Sequence, residues 1–210
     1  MTRALIFDVD GVLVHGYHAR PERQQRWNDT LLEDLGVDPE RFNAEFISDI
    51  FIKKVVVGHM SIIEALDRRL PSLGYKGSSM VFLNYWLTHD SKLDHDLLAS
   101  IRTLKANADI RLFIATNQDH SRAQWLWSHL GLCDLFDDMF YSARVTIRKP
   151  EQGFFDYVDA KMGPQFEPPL FFDDTPKVIA AARAAGWESV EYDTIADFTN
   201  HPWVAARLAC

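Results

Sequence analysis

Short apolar runs that stop abruptly at polar residues do most to restrict what this chain can fold into. "ALIF" runs into Asp8, "LFIA" into Thr116 and Asn117, and "LFF" into Asp173 and Asp174. None of these runs alternates polar with apolar, which is the pattern of strands buried on both faces. Between and after them lie helical stretches such as "DHDLLASIRTLKAN", "DHSRAQWLWSHLG", "PEQGFFDYVDAKMG" and "PKVIAAARAAG", while "DMFYS" and "SVEY" read as two more strands. Strands alternating with helices predict a parallel sheet covered on both faces. Right-handed crossovers then bring the carboxyl ends of the strands to one edge, where such sheets bind ligands.

The stretch from Val14 to His89 reads differently, as helices without a strand. Pro21 opens "ERQQRWNDTLLEDLG", which ends at Gly36. After Pro39, Phe42, Phe46 and Ile50 recur every fourth residue. "HMSIIEALDRRL" runs up to Pro71, and "SSMVFLNYWL" supplies another apolar helix. The expected organisation is an α/β core of Rossmann-like type from residues 1–14 and 90–210, with an all-helical insertion over residues 15–89. No internal repeat or low-complexity tract is present.

At 47% hydrophobic residues in 210, the chain can build a substantial core. Its 22 basic and 30 acidic residues leave a net charge of −8. That disfavours a nucleic-acid polymer or an anionic membrane as partner, since both need clustered Lys and Arg. Cys133 and Cys210 are far apart and lack metal-ligand spacing, which fits a reducing compartment. Asp8 breaks the first apolar run too early for a signal peptide. No stretch reaches the roughly 20 apolar residues of a membrane span. The expected location is cytoplasmic, and the expected state a monomer or homodimer.

The strand-end residues carry the chemistry. Asp8, Asp10, Asp173 and Asp174 would meet if their strands are neighbours. Two unit charges about 4 Å apart repel by roughly 4 kcal/mol at an effective dielectric near 20. Such a cluster must protonate, accept hydrogen bonds or hold a cation, and oxygen donors without His or Cys suit Mg²⁺. Thr116 offers a hydroxyl, Asn117 an amide and Lys149 an ammonium, a set that suits a phosphoryl group. Gly11 allows close backbone approach and could free N–H groups of the Asp10–Gly11 turn as donors.

Taken in order, "DVDGV", "ATN", "RKP" and "FFDDT" resemble the motifs of the haloacid dehalogenase-like hydrolases, most of which are phosphatases. The resemblance implies that Asp8 is the nucleophile and that Asp10 serves as general acid, then general base. It implies that Thr116 and Lys149 hold phosphoryl oxygens, with Asn117 supporting their loop. Mg²⁺ would rest on the Asp8 carboxylate, the Asp10 backbone carbonyl and the acidic pair, with Asp174 the direct ligand and Asp173 its support. The helical insertion would be a cap over the site. The implied activity is Mg²⁺-dependent hydrolysis of a small phosphorylated metabolite through an aspartyl-phosphate. A phosphomutase or phosphotransferase, or a non-catalytic regulatory module, is the alternative. The dehalogenases of the family lack the second aspartate, so Asp10 favours phosphate esters. One departure is local: "DDTPKV" replaces the usual Asn-Val after the acidic triplet with Lys177 and one residue fewer.

Several residues have a structural reading instead. Thr175 before Pro176 fits a helix N-cap, as Thr116, Asn117 or Asp119 could for the helix "DHSRAQWLWSHLG". Arg20, Arg23 and Arg26 would line one helix face, solvated or facing substrate. His15 is a loop histidine or a substrate contact. Trp27, Phe46, Phe51 and Trp86 read as core of the helical insertion rather than a substrate platform.

Overall fold

The computed structural model describes residues 2–209; Cys210 lies outside the described residues. The strands in chain order are β1 (Arg3–Phe7), β2 (Val14–His15), β3 (Lys92–Leu93), β4 (Ile110–Thr116), β5 (Asp138–Tyr141), β6 (Leu170–Asp173) and β7 (Glu188–Glu191). Five of them form one parallel sheet in the order β5-β4-β1-β6-β7, as the apolar runs predict. β1 lies in the middle, so Asp8 emerges between the ends of β4 and β6.

The period of two along β1 divides its side chains between two layers. Leu5 and Phe7 join Leu112, Ile114 and Phe172 under the helices α5 (His95–Asn107), α10 (Ile195–Thr199) and α11 (Pro202–Leu208). Ala4 and Ile6 join Phe113 and Phe171 under α8 (Gln152–Met162) and α9 (Pro176–Ala184). Phe7 and Phe172 stack at 5.2 Å, which locks β1 to β6 just below the acidic residues.

Residues between β2 and β3 build a third, separate hydrophobic cluster around Phe42, Phe46, Phe82 and Trp86. Its helices are α1 (Leu31–Leu35), α2 (Pro39–Phe42), α3 (Ile62–Arg69) and α4 (Ser79–His89), with a π-helix over Asn43–Val55 continuing α2. Four expectations are corrected by the structure. Val14–His15 is a strand, paired antiparallel with Lys92–Leu93 where the chain leaves and re-enters the core. Pro21 does not open a long helix: a 3₁₀ turn over Pro21–Arg23 is followed by irregular chain up to the short α1. The Arg20/Arg23/Arg26 face therefore does not exist. Arg20 pairs with Glu191 and Asp193, Arg23 with Asp193, and Arg26 with Glu40. The pairs of Arg20 and Arg23 draw the segment onto the core rather than along a helix axis. The spacing of four in Phe42, Phe46 and Ile50 fits an α-helix, but the backbone adopts the wider π-helical turn. Among the described residues no helix is long and apolar enough to cross a membrane.

Candidate active site

The carboxyl edge of the sheet gathers the residues that the strand ends place there. Asp8, Asp173 and Asp174 offer carboxylate oxygens within 4.8 Å of one another, all three buried. Gly11 makes this convergence possible. Its φ is +77°, and a Cβ there would overlap the Asp174 carboxylate, so only glycine lets the turn after β1 close against β6. Two of the turn's N–H groups are spent internally, Gly11 donating to Val14 and Val12 to Val9, while the Asp10 N–H donates to no described residue. Of the anion donors expected from the Asp10–Gly11 turn, the Gly11 N–H is therefore taken.

Lys149 is buried and lies 3.0 Å from Asp8 Oδ1 and 2.6 Å from Asp173 Oδ2. Burial would push the ammonium down, but Asp173 and Asp8 outweigh it and hold Lys149 above an ordinary lysine. Burial pushes the Asp8 carboxyl up to about 7, against Lys149, with Asp173 and Asp10 adding to the rise. One positive charge does not offset three carboxylates. Asp8 Oδ1 also accepts the Val9 N–H at 2.7 Å, whereas Oδ2 accepts no hydrogen bond from a described residue. Asp8 lines a cavity of about 400 Å³ together with Thr116, Lys149 and Asp174.

Each remaining sequence-picked residue has a definite place. Thr116 ends β4, buried, with its side chain in no hydrogen bond among the described residues. Asn117 grips the backbone of Lys149 on both sides: its Oδ1 accepts the Lys149 N–H at 2.9 Å and its Nδ2 donates to the Lys149 carbonyl at 3.0 Å. The Asn117 oxygen and one of its two amide N–H groups are thereby engaged with the loop. Asp173 holds Lys149 through Oδ2 and the Thr175 N–H through Oδ1. Asp174 accepts from the Ala19 N–H and the Thr175 hydroxyl. Thr175 therefore stands at the N-cap position without making a cap bond, because its hydroxyl serves Asp174. Asp119, not Thr116 or Asn117, caps α6 (His120–Gln124) by accepting from Ser121 and Arg122. His15 lies 3.7 Å from Asp94 and is not in the cluster.

Asp10 stands apart from the three-carboxylate cluster. Arg122 donates to both its oxygens, at 2.7 and 2.9 Å, and Gln118 donates at 2.5 Å. The same guanidinium reaches Asp90, which also accepts the Trp86 indole N–H at 3.2 Å. Burial weighs against the Arg122 charge, but Asp10 and Asp90 outweigh it and hold it firmly cationic. Burial pushes Asp90 up to about 6 against the pull of Arg122. Arg122, Gln118 and Asp90 went unseen in the sequence. An arginine in an amphipathic helix and an aspartate after a helix end look like surface residues, although Arg122 sits in register with buried Ala123 and Leu126. Tyr17, exposed over the cavity mouth, and His18, whose Nδ1 lies 3.5 Å from Asp174, were also missed.

The donor set fits a hard divalent ion. It is all oxygen, it is buried, and its negative charge exceeds the single positive charge of Lys149. The model of one family, described as haloacid dehalogenase-like hydrolase, matches residues 2–186. The chain belongs to the haloacid dehalogenase-like hydrolases. Among curated relatives of this hydrolase, a phosphoglycolate phosphatase of Rhodospirillum rubrum is 26% identical over 198 residues, covering 89% of this chain and 77% of the relative. A drimenol cyclase of Aspergillus calidoustus is 27% identical over 194 residues; the match takes in 90% of this chain but only 34% of the cyclase. Among solved structures, a HAD family enzyme from Bacteroides thetaiotaomicron in a magnesium complex superimposes with a TM-score of 0.69 at 18% identity, covering 90% of this chain and 91% of that one. A HAD-like family hydrolase from Porphyromonas gingivalis gives 0.70 at 22% identity, covering 98% and 96%. These likenesses show that the haloacid dehalogenase-like hydrolase fold extends over nearly the whole chain.

Proposed function

We propose that this chain is a Mg²⁺-dependent phosphomonoester hydrolase that acts on a small phosphorylated metabolite through an aspartyl-phosphate on Asp8. The observation that carries this reading is the asymmetry of Asp8. One oxygen is held by Val9 and Lys149, while the other is left without a hydrogen bond beside a cavity. That suits a nucleophile, and the Lys149 charge next to it suits the oxygens of a transferring phosphoryl group. The curated phosphatase relative supports the same reaction class.

Asp8, Asp174 and the Asp10 backbone carbonyl would hold Mg²⁺, with Asp173 fixed behind them by Lys149 and Thr175. The ion would supply charge neutralisation for the phosphoryl oxygens. Asp8 Oδ2 attacks phosphorus, the ester P–O bond breaks, and Asp10 delivers a proton to the departing alkoxide. Asp10 then takes a proton from water as that water attacks phosphorus. The bond to Asp8 breaks and phosphate leaves. Thr116 and Lys149 contact the phosphoryl oxygens, and Asn117 keeps Lys149 in place. The helical insertion, residues 15–89, acts as the cap: Tyr17, Ile47, Phe51 and Val56 roof the Asp8 cavity and would keep bulk water out.

Phosphate release from a panel of small phosphomonoesters, with Mg²⁺ or with EDTA, tests the reading. Free phosphate that accumulates over many turnovers and disappears with the metal supports it. Transfer of the phosphoryl group to a second hydroxyl without free phosphate would make the chain a phosphotransferase. Halide release from 2-haloacids without metal would make it a dehalogenase.

A further inference from the structure

A second crevice opens beside the Asp8 cavity and meets it at Asp10, Tyr17, Phe51 and Asn117. Its volume is about 390 Å³, within the range of small-ligand sites. In the proposed reaction Asp10 protonates the departing oxygen, so the alcohol part of the substrate extends from Asp10 into this crevice. What lines it therefore describes the alcohol.

The lining is part aromatic and part polar, and its charged residues are paired with one another or with neighbours. Trp27 and Trp86, stacked at 5.2 Å, form the aromatic part with Phe51. Asn28, Asn43 and Ser48 stand among the polar groups. The Asn43 amide and the Ser48 hydroxyl make no hydrogen bond with a described residue, and Asn28 offers only Oδ1 to Arg26, at 3.4 Å. No lysine or histidine lines the crevice. Both of its arginines are already neutralised, Arg26 by Glu40 and Asp29, and Arg122 by Asp10 and Asp90. Lys177, which makes no ion pair with a described residue, lies on the other side, where it lines the Asp8 cavity with Arg148.

A carboxylate brought into the crevice would lose hydration and find no unpaired cation, a heavy cost. A hydroxyl-bearing ring would exchange its water for Asn43, Ser48 and Asn28, and set a face against the tryptophans. We infer that this crevice selects phosphate esters of an uncharged, hydroxyl-bearing ring, a sugar or a nucleoside, and rejects esters whose alcohol carries a carboxylate. Phosphoglycolate, for which the Rhodospirillum rubrum relative is named, is of the rejected kind. The inference rests on the phosphatase reading and adds the class of alcohol to it.

The test compares kcat/KM with Mg²⁺ for hexose 6-phosphates, nucleoside 5′-monophosphates, phosphoglycolate and 3-phosphoglycerate. Acetyl phosphate serves as a reference that needs no ring site. The better of the two ring classes, which the separate arms identify, is expected to exceed both carboxylate esters by about 100-fold or more. Asn43→Lys and Ser48→Lys, at a half-buried and an exposed position, each place a cation in the crevice and are checked for folding by thermal melting. In either folded variant the ratio of ring ester to phosphoglycolate should narrow by about tenfold or more. Carboxylate esters that match or exceed ring esters overturn the inference, as does a ratio that both folded variants leave unchanged. Turnover of acetyl phosphate alone overturns it too, while leaving the phosphatase reading in place. If acetyl phosphate also fails with Mg²⁺, the phosphatase reading itself falls.

Discussion

Arg122 holds both carboxylate oxygens of Asp10 across neighbouring strands: Asp10 follows β1, and Arg122 sits on α6, after β4. Through Asp90 the same guanidinium meets α4, the last helix of the insertion. Both oxygens already accept from Arg122, so giving a proton to a leaving group requires Asp10 to release at least one of these bonds. Arg122 is thus a positioning residue, not one that contacts substrate.

Arg122→Ala should lose about 3–5 kcal/mol of stability, because Asp90 is left buried without its partner. Urea unfolding reads this loss, and pairing the change with Asp90→Asn should recover part of it. Arg122→Lys should keep more of the fold. In that variant kcat should fall more for alkyl phosphates, which need a proton on the leaving oxygen, than for p-nitrophenyl phosphate. Equal losses on both would mean that Arg122 does not act through Asp10.

Asn117→Ala removes two hydrogen bonds from the Lys149 backbone. The expected cost is about 1–3 kcal/mol in stability. Lys149 would lose its fixed approach to Asp8, so kcat should fall by about tenfold or more. Asn117→Asp keeps the acceptor for the Lys149 N–H but not the donor, and should fall between the two.

Gly11→Ala forces a left-handed φ on alanine and drives its Cβ into Asp174. The conformational penalty alone is about 1 kcal/mol. The larger effect should appear as weakened Mg²⁺ binding, measured by calorimetric titration, because Asp174 must move from Asp8.

Asp8 sets a pH dependence. Its carboxyl is pushed up to about 7 by burial, whereas an unfolded aspartate titrates at about 3.9. Between these values the folded, metal-free chain holds a proton that the unfolded chain has lost, so its stability falls as pH rises through that window. Mg²⁺ must displace the proton. Its affinity should rise by up to about tenfold per pH unit and level off above about pH 7. A flat affinity between about pH 5 and pH 8 would contradict this.

Much of the core was legible because burial on both faces writes itself into a strand as an unbroken apolar run. Leu5, Phe113 and Phe172 show this, and the polar residues that stop such runs mark the edge that holds the candidate site. The sequence concealed what depends on partners far along the chain. Nothing near Pro21 shows that Arg20 and Arg23 will be drawn to Glu191 and Asp193 instead of extending a helix. Nothing near Asp119 shows that Arg122 will turn inward to Asp10, 112 residues away. The π-helix was hidden for another reason, since a spacing of four fits both helical forms.

Trapping of the covalent intermediate tests the central claim most directly. The protein is mixed with Mg²⁺ and a turned-over phosphomonoester, quenched, and reduced with borohydride, which attacks an acyl phosphate but not a free carboxylate. Peptide mass spectrometry should then find Asp8 as the reduced side chain, in a yield that depends on substrate and is lost in Asp8→Asn. Turnover with Asp8 unmodified, or reduction at a different carboxylate, would contradict the account.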